Sequence, residues 1–214
     1  MALTVVDHPL AQHLLIQLRD VQTPPPLFRT LAKRLTIALV LEAVRGLPAV
    51  EVEVETPLER ATGRRIAPDL VAVPILRAGL GMLEAVAELF PEVSVGYVGL
   101  ERDDRTLRPT SYYEKLPPLA ERHVLVLDPM LATGGSAVAA CSSIAAKGPA
   151  EIRFVCVVAA PEGVRRMEEH HPDVPLFAAA LDRELNEAGY ILPGLGDFGD
   201  RLFGTEPHSG VPVG

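Results

Sequence analysis

The chain has 214 residues, 48% of them hydrophobic, and a formal net charge of −8 from 28 acids against 20 Lys and Arg. That length and apolar content suit one compact folded domain with a real core and exclude a disordered chain. The acidic balance argues against a nucleic-acid binder that relies on overall positive charge, and 5% aromatics without tryptophan argue against a base-stacking platform.

Asp7 and His8 interrupt any early signal-like stretch, and no apolar run reaches the roughly 18 residues of a membrane span. Pro9 suits a first helical turn, and Leu10, Leu14, Leu15 and Leu18 follow at helical spacing. Pro24 to Pro26 stop that helix. A second amphipathic pattern then runs from Leu27 to Val44 and ends at Gly46 and Pro48. Its apolar face suits either the core or a subunit contact.

Val50, Val52 and Val54 alternate with glutamates, which predicts an edge or hairpin strand with one wet face. Thr62 to Arg65 reads as a turn. Asp69 to Leu76 is a nearly continuous apolar strand, as in a sheet covered on both faces. Arg77 follows it directly, at the strand end where open α/β sheets bind ligands, and Met82 to Phe90 reads as a helix. Val93 to Leu100 is a third strand. The segment from Glu101 to Leu119 has no apolar period but holds Arg102, Arg105, Arg108, Lys115, Tyr112 and Tyr113. That composition favours a lid over an anionic substrate, with a solvated hairpin as the alternative.

Val124 to Ala140, VLVLDPMLATGGSAVAA, carries the clearest signal. An apolar strand meets Asp128, a glycine turn follows, and an alanine-rich helix closes the unit. Strand, acid, glycine turn and helix expose backbone N–H groups to a phosphate. The turn lacks the lysine of a nucleotide-hydrolysing loop, and its spacing does not fit a dinucleotide fingerprint. What fits is a phosphorylated ribose, with Asp128 near the sugar hydroxyls and Ala132 to Ser136 around the phosphate. Lys147, Gly148 and Pro149 end the helix, Ile152 to Val158 is a buried strand, Pro161 to His170 a helix, and Leu176 to Leu181 a last short strand. His170 and His171 are adjacent, which is not a metal-ligand spacing on a helix. Cys141 and Cys156 lie in apolar surroundings; free buried thiols come first, a disulfide second, and the former fits a reducing cytoplasm. From Asp182 the texture turns glycine-rich, as in a segment that folds over a ligand.

These residues resemble the type I phosphoribosyltransferases, and within them the uracil phosphoribosyltransferase family. LVLDPMLATGGS is similar to that family's PRPP loop. The likeness extends to VPILRAGLGM (73–82), YYEKLP (112–117), VAAPEG (158–163), HPD (171–173) and LNEAGYILPGLGDFGDRLFGT (185–205), with weaker support from HPL (8–10). The resemblance implies an α/β fold with a mainly parallel sheet flanked by helices. An N-terminal helical arm (1–48), a core (49–181) and a C-terminal hood (182–214) would make up a single domain.

It also implies that uracil and 5-phosphoribosyl-1-diphosphate (PRPP) give UMP and diphosphate. Arg77 and Arg102 would then bind the diphosphate. Asp128, Pro129, Met130, Leu131, Ala132, Thr133, Gly134, Gly135 and Ser136 would bind ribose and the 5′-phosphate. Ile191, Gly196, Asp197 and Phe198 would line the uracil site, with Asp197 also facing the phosphoribosyl group or its magnesium. Asp128, Arg102 and Asp197 would form the catalytic set. Mg2+ would be held mainly by PRPP, with no dedicated protein metal site. The family implies a cytoplasmic homo-oligomer, a dimer or higher, and GTP as an effector in some members, although no residue set here marks an effector site.

Two departures stand out. Pro129 follows Asp128 where type I loops commonly carry a second acid, and Phe198 stands where a small residue is expected. A phosphoribosyltransferase for purines or orotate and an RNA-binding regulator of this fold are the competing readings; the 189–200 segment opposes the first and the acidic charge the second.

Overall fold

The computed structural model describes residues 3–66, 69–102 and 109–205, without the side chains of 101–102 and 109–111. Strand β1 (Leu3–Val5) leads into helix α1 (Pro9–Arg19). His8 caps this helix by accepting the Leu10 N–H on Nδ1 at 3.1 Å, and Pro9 occupies the first turn, where its missing N–H costs nothing. Helix α2 (Pro25–Ala43) also starts on proline and buries Phe28, Leu31, Leu35 and Leu39 at helical spacing. Its apolar face is therefore core. At its far end Arg153 donates to the Ala43 carbonyl, a cation at a helix C-terminus.

Strands β2 (Ala49–Glu55) and β3 (Arg60–Ile66) form a separate antiparallel hairpin. Both of its faces are largely exposed, not one. The turn expected at Thr62 to Arg65 is absent, since those residues lie inside β3. The chain reverses earlier, where Thr56 Oγ1 accepts the Leu58 and Glu59 N–H groups at 3.2 and 3.1 Å. A threonine hydroxyl made the turn that composition assigned to glycine.

The rest of the chain alternates strand and helix: β4 (Leu70–Leu76), α3 (Leu80–Leu89), β5 (Ser94–Val95), β6 (Tyr97–Arg102), β7 (Pro109–Lys115), β8 (His123–Leu127), β9 (Met130–Leu131), α4 (Gly135–Ala145), β10 (Glu151–Ala159), α5 (Pro161–His170) and β11 (Leu176–Leu181). A small hairpin, β12 (Glu184–Leu185) with β13 (Ile191–Leu192), and helix α6 (Phe198–Phe203) make the hood. The main sheet runs β1-β11-β10-β8-β4-β6-β7, with β5 on β4 and β9 on β10. All its pairings are parallel except β6 with β7. The single strand expected over 93–100 is two pieces, broken at Gly96, and the segment read as a lid or a hairpin pairs back on β6 as the antiparallel strand β7.

Side chains alternate across β4 and β8. Leu70, Ala72, Leu125 and Leu127 face α1, α2, α3 and α6, while Val71, Val73, Val124 and Val126 face α4 and α5. The neighbouring strands β4 and β8 thus send their following helices to opposite faces. That is the topological switch point of an open α/β sheet, where a crevice opens at the strand carboxyl ends. Cys141 and Cys156 are buried free thiols, as expected.

The crevice leaves no slack at Gly79, just after β4. A Cβ there would stand 2.3 Å from the Leu127 carbonyl oxygen and 2.7 Å from the backbone N and O of Ile75. Because those neighbours are backbone, they cannot swing aside. Gly79→Ala is expected to lower stability by about 3 kcal/mol or more, read as a lower urea midpoint; an unchanged midpoint would contradict this packing.

Candidate active site

Two strand ends supply the first residues of the site. Arg77 follows β4 and Asp128 follows β8, so strand pairing alone brings them to one edge. Asp128 donates its N–H to the Val155 carbonyl at 3.2 Å, and its Oδ1 accepts the Met130 N–H at 3.3 Å. Burial pushes its carboxyl up to about 7, while the Met130 N–H pulls the other way. The backbone then stays on the sheet. Pro129 O accepts from Val157 and Val158 at 3.0 and 3.1 Å, and Leu131 O accepts from Ala160 at 2.9 Å.

The turn from Ala132 to Ser136 leaves the sheet and enters α4. Gly134, the N-cap, has no side chain with which to cap the first turn, so the leading N–H groups can meet an anion. The turn rests on α5 backbone to backbone. A Cβ on Gly163 would come within 2.5 Å of the Ala132 carbonyl oxygen and 2.8 Å of that of Leu131. Gly163 therefore shapes the loop, a role visible in sequence only as part of the VAAPEG motif. His171 ties the end of α5 to α4, with Nε2 2.9 Å from Ser142 Oγ and 3.2 Å from the Val138 carbonyl oxygen. The histidine pair thus serves the helix ends.

Facing the turn is the hood. Asn186 organises its tip, with Oδ1 accepting the N–H groups of Ala188 and Tyr190 at 3.0 and 2.9 Å. Ile191 is buried on β13. Asp197 caps α6, accepting the Asp200 N–H at 2.9 Å. The Phe198 ring is wholly buried and meets Phe28 edge to face, with centroids 5.0 Å apart. Its bulk is thus a core anchor that fastens α6 onto α2, which answers the departure noted in the sequence.

Between turn and hood lies a cavity of about 220 Å³, reached by Ala78, Met130 and Ala132 on one side and by Tyr190, Ile191 and Asp197 on the other. This is smaller than the ~300–1,000 Å³ of pockets for drug-sized ligands and suits one ring, not a nucleotide. Gly196 and Phe198 also border it. Of the sequence-expected residues, the fold therefore gathers Met130, Ala132, Ile191, Gly196, Asp197 and Phe198 around one space. Pro129, Leu131, Thr133, Gly134, Gly135 and Ser136 continue the same loop beside it.

Arg77 lies on the outer side. Its guanidinium is 58% exposed, 3.7 Å from Asp200 and 5.9 Å from the centre of the Phe203 ring. Arg102 ends β6, but its side chain lies outside the described structure, as do Arg105 and Arg108 entirely. Strand β7 is fixed at its C-terminal end: Glu114 accepts from Ser143 and pairs with Lys147 at 3.0 Å, which holds its carboxyl below the usual carboxylate range. A larger cleft of about 750 Å³, lined by Arg64, Arg65, Asp69 and Arg122 among others, opens at the amino ends of β4 and β8. The switch-point crevice is at the opposite edge, so the larger opening is not the candidate active site.

The sequence model of the family described as "Uracil phosphoribosyltransferase" matches residues 5–205. A protein of that name from Dictyoglomus turgidum is 53% identical over 204 residues, covering 94% of this chain and 99% of the relative. One from Bacillus pumilus is also 53% identical over 204 residues, covering 94% and 98%. Among solved structures, the AQ2163 protein of Aquifex aeolicus superposes with a TM-score of 0.92 at 38% identity, over 97% of this chain and 100% of that one. A hypoxanthine-guanine phosphoribosyltransferase from Bacillus anthracis gives a TM-score of 0.52 at 9% identity, over 74% and 80%, a likeness of fold alone. The match over residues 5–205 and the identity to these relatives show it: the chain belongs to the uracil phosphoribosyltransferase family.

Proposed function

We propose that this chain transfers the phosphoribosyl group of PRPP to uracil, giving UMP and diphosphate in pyrimidine salvage. The observation that carries the reading is the ring-sized cavity between loop and hood, bordered by Met130 and Ala132, with the open first turn of α4 following directly in the same loop. The anomeric C–O bond breaks, a bond to uracil N1 forms, and diphosphate leaves, taking up the proton that N1 gives up. Positive charge builds on the ribose ring and negative charge on the leaving group. Asp128 holds the ribose hydroxyls and the turn from Ala132 to Ser136 takes the 5′-phosphate. Arg77 is loosely held, so it is free to reach the diphosphate, and Arg102 on the lid strand joins it. Backbone groups of Ile191 and Gly196 match the alternating polar edge of uracil, with Asp197 and Phe198 completing the wall. Cytosine then leaves a buried polar group unpaired.

Magnesium, when bound, neutralises charge on the diphosphate. The site offers carboxylates singly, in Asp128 and Asp197, and among the described residues no three His, Cys, Asp or Glu side chains converge as ligands. That donor set fits an ion carried mainly on substrate oxygens.

The division of labour follows the chain: the core (49–181) holds PRPP, and the hood (182–214) reads the base while resting on the N-terminal helices (1–48). A homodimer suits the β2–β3 hairpin, which exposes Val50, Val54 and Leu58. GTP as an effector rests on the family resemblance alone. A cytoplasmic setting suits the two free buried thiols; no helix among the described residues is long and apolar enough to cross a membrane.

UMP formation from uracil and PRPP with Mg2+ is the direct assay, run beside cytosine, hypoxanthine and orotate. Uracil is expected to be the preferred base by at least about 10²-fold; PRPP binding without uracil turnover would overturn the reading. Asp128→Asn separates function from stability. Its folded carboxyl titrates near 7 and an unfolded one near 4, so the folded state holds a proton between those values that the unfolded chain has released. Stability from this group therefore falls as pH rises through that window and is lowest above about 7. The variant is expected to lose about 10²-fold or more in turnover. It should gain on the order of 1–3 kcal/mol in stability at pH 8, with no gain near pH 4. Undiminished turnover, or a stability difference that ignores pH, would contradict the assignment.

A further inference from the structure

The hood has little core of its own, yet its backbone must hold still to read a base. What holds it includes the last residue of α1, Arg19, 163 positions before its partner Asp182. Arg19 donates from both terminal nitrogens to the Asp182 carboxylate, at 2.8 and 2.6 Å. Asp182 is itself fixed at the end of β11, where its N–H donates to the Ala159 carbonyl at 2.8 Å. Its side chain is 4% exposed and that of Arg19 18%.

The same pair closes on one residue of the hood, through the two peptide groups that flank its Cα. Asp182 Oδ2 accepts the Gly194 N–H at 2.9 Å, and Arg19 donates to the Gly194 carbonyl at 2.6 Å. Both polar atoms of Gly194 are therefore held by one ion pair. Gly194 has φ +58, and a Cβ there would sit 2.1 Å from the Ile191 carbonyl oxygen, so no other residue fits this turn. Gly194 lies three residues after Ile191 and two before Gly196, both of which border the cavity from the hood.

We infer that Arg19 and Asp182 are positioning residues for base recognition: through Gly194 they set the Ile191–Gly196 backbone, so the end of the first helix governs affinity for the base. The inference rests on the uracil reading above. It predicts an effect confined to one substrate, because the PRPP loop is built on β8, β10 and α5 and not on this pair.

Arg19→Met leaves a buried carboxylate without its partner and endangers folding. The decisive variant is therefore Arg19→Met with Asp182→Leu, which removes both charges together and leaves apolar volume behind. Folding is confirmed by circular dichroism and a cooperative melt, with Arg19→Lys as a second, charge-retaining variant that keeps Asp182 paired but cannot also fork to Gly194. In each folded variant the KM for uracil is expected to rise about tenfold or more, with the KM for PRPP within about twofold of the parent. A merely structural loss would lower the active fraction and leave both KM values in place. An unchanged KM for uracil, or equal rises for both substrates, would overturn the positioning role. A parent protein that makes no UMP would instead overturn the functional reading on which it stands.

Discussion

The buried ion pair between Arg19 and Asp182 joins three parts of the chain that share no local sequence. It ties the end of α1 to the end of β11, and both to the tight turn at Gly194. Taking two charges out of water is costly, and attraction alone does not always offset it. Here the cost is met by use: each charge also satisfies a backbone group of a turn that offers little else to hold it. A second arginine acts in parallel. Arg201 of α6 donates to the Leu195 carbonyl at 2.7 Å and to the Leu18 carbonyl, and lies 4.5 Å over the Phe28 ring. The hood is thus fastened by cations to the helices that open the chain. Phe198, packed on Phe28, supplies the apolar part of the same joint.

The other half of the site depends on a different constraint, close backbone approach. The turn around Gly134 lies on Gly163, and Gly79 lies on the Leu127 carbonyl. Both contacts cluster at the carboxyl ends of the central strands. There the sheet must pass its backbone N–H groups to a ligand while keeping its own ladder intact. Under the proposed function this division has a use: the sheet-borne loop would hold what every phosphoribosyl substrate has in common, and the separately anchored hood would read the part that differs.

The sheet was legible because its central strands are buried on both faces. β4, β8 and β10 appear in the sequence as nearly continuous apolar runs, interrupted in β10 by Arg153, and the prolines at α1 and α5 mark the starts of those helices; at α2, Pro25 and Pro26 read as a stop but open the helix. The loop residues Asp128 to Ser136 were legible because the chemistry and the local fold coincide in one continuous stretch. Other features had no local signature. β1 is three residues long and exists only through its pairing with β11, near the far end of the chain. Arg19 resembles any basic residue at a helix end, and Asp182 any acid after a strand; their meaning appears only when the fold brings them together. The hairpin turn misled for a related reason. Gly63 suggested a reversal, but in β3 it is extended and open to solvent, while Thr56 makes the turn through its hydroxyl. Phe198 looked like a threat to the base pocket until Phe28, 170 positions earlier, took its ring.

In the proposed function, UMP would lie with its phosphate on the turn that follows Ala132 and its base in the cavity between Met130, Ala132 and the hood. A crystal structure of the full chain with UMP tests it most directly. The account predicts the phosphate on the N–H groups of residues 132–136 and the polar edge of uracil within hydrogen-bond distance of the Ile191 and Gly196 backbone. A phosphate seated on that turn with the base outside the hood, or a base held there by side chains alone, would contradict it.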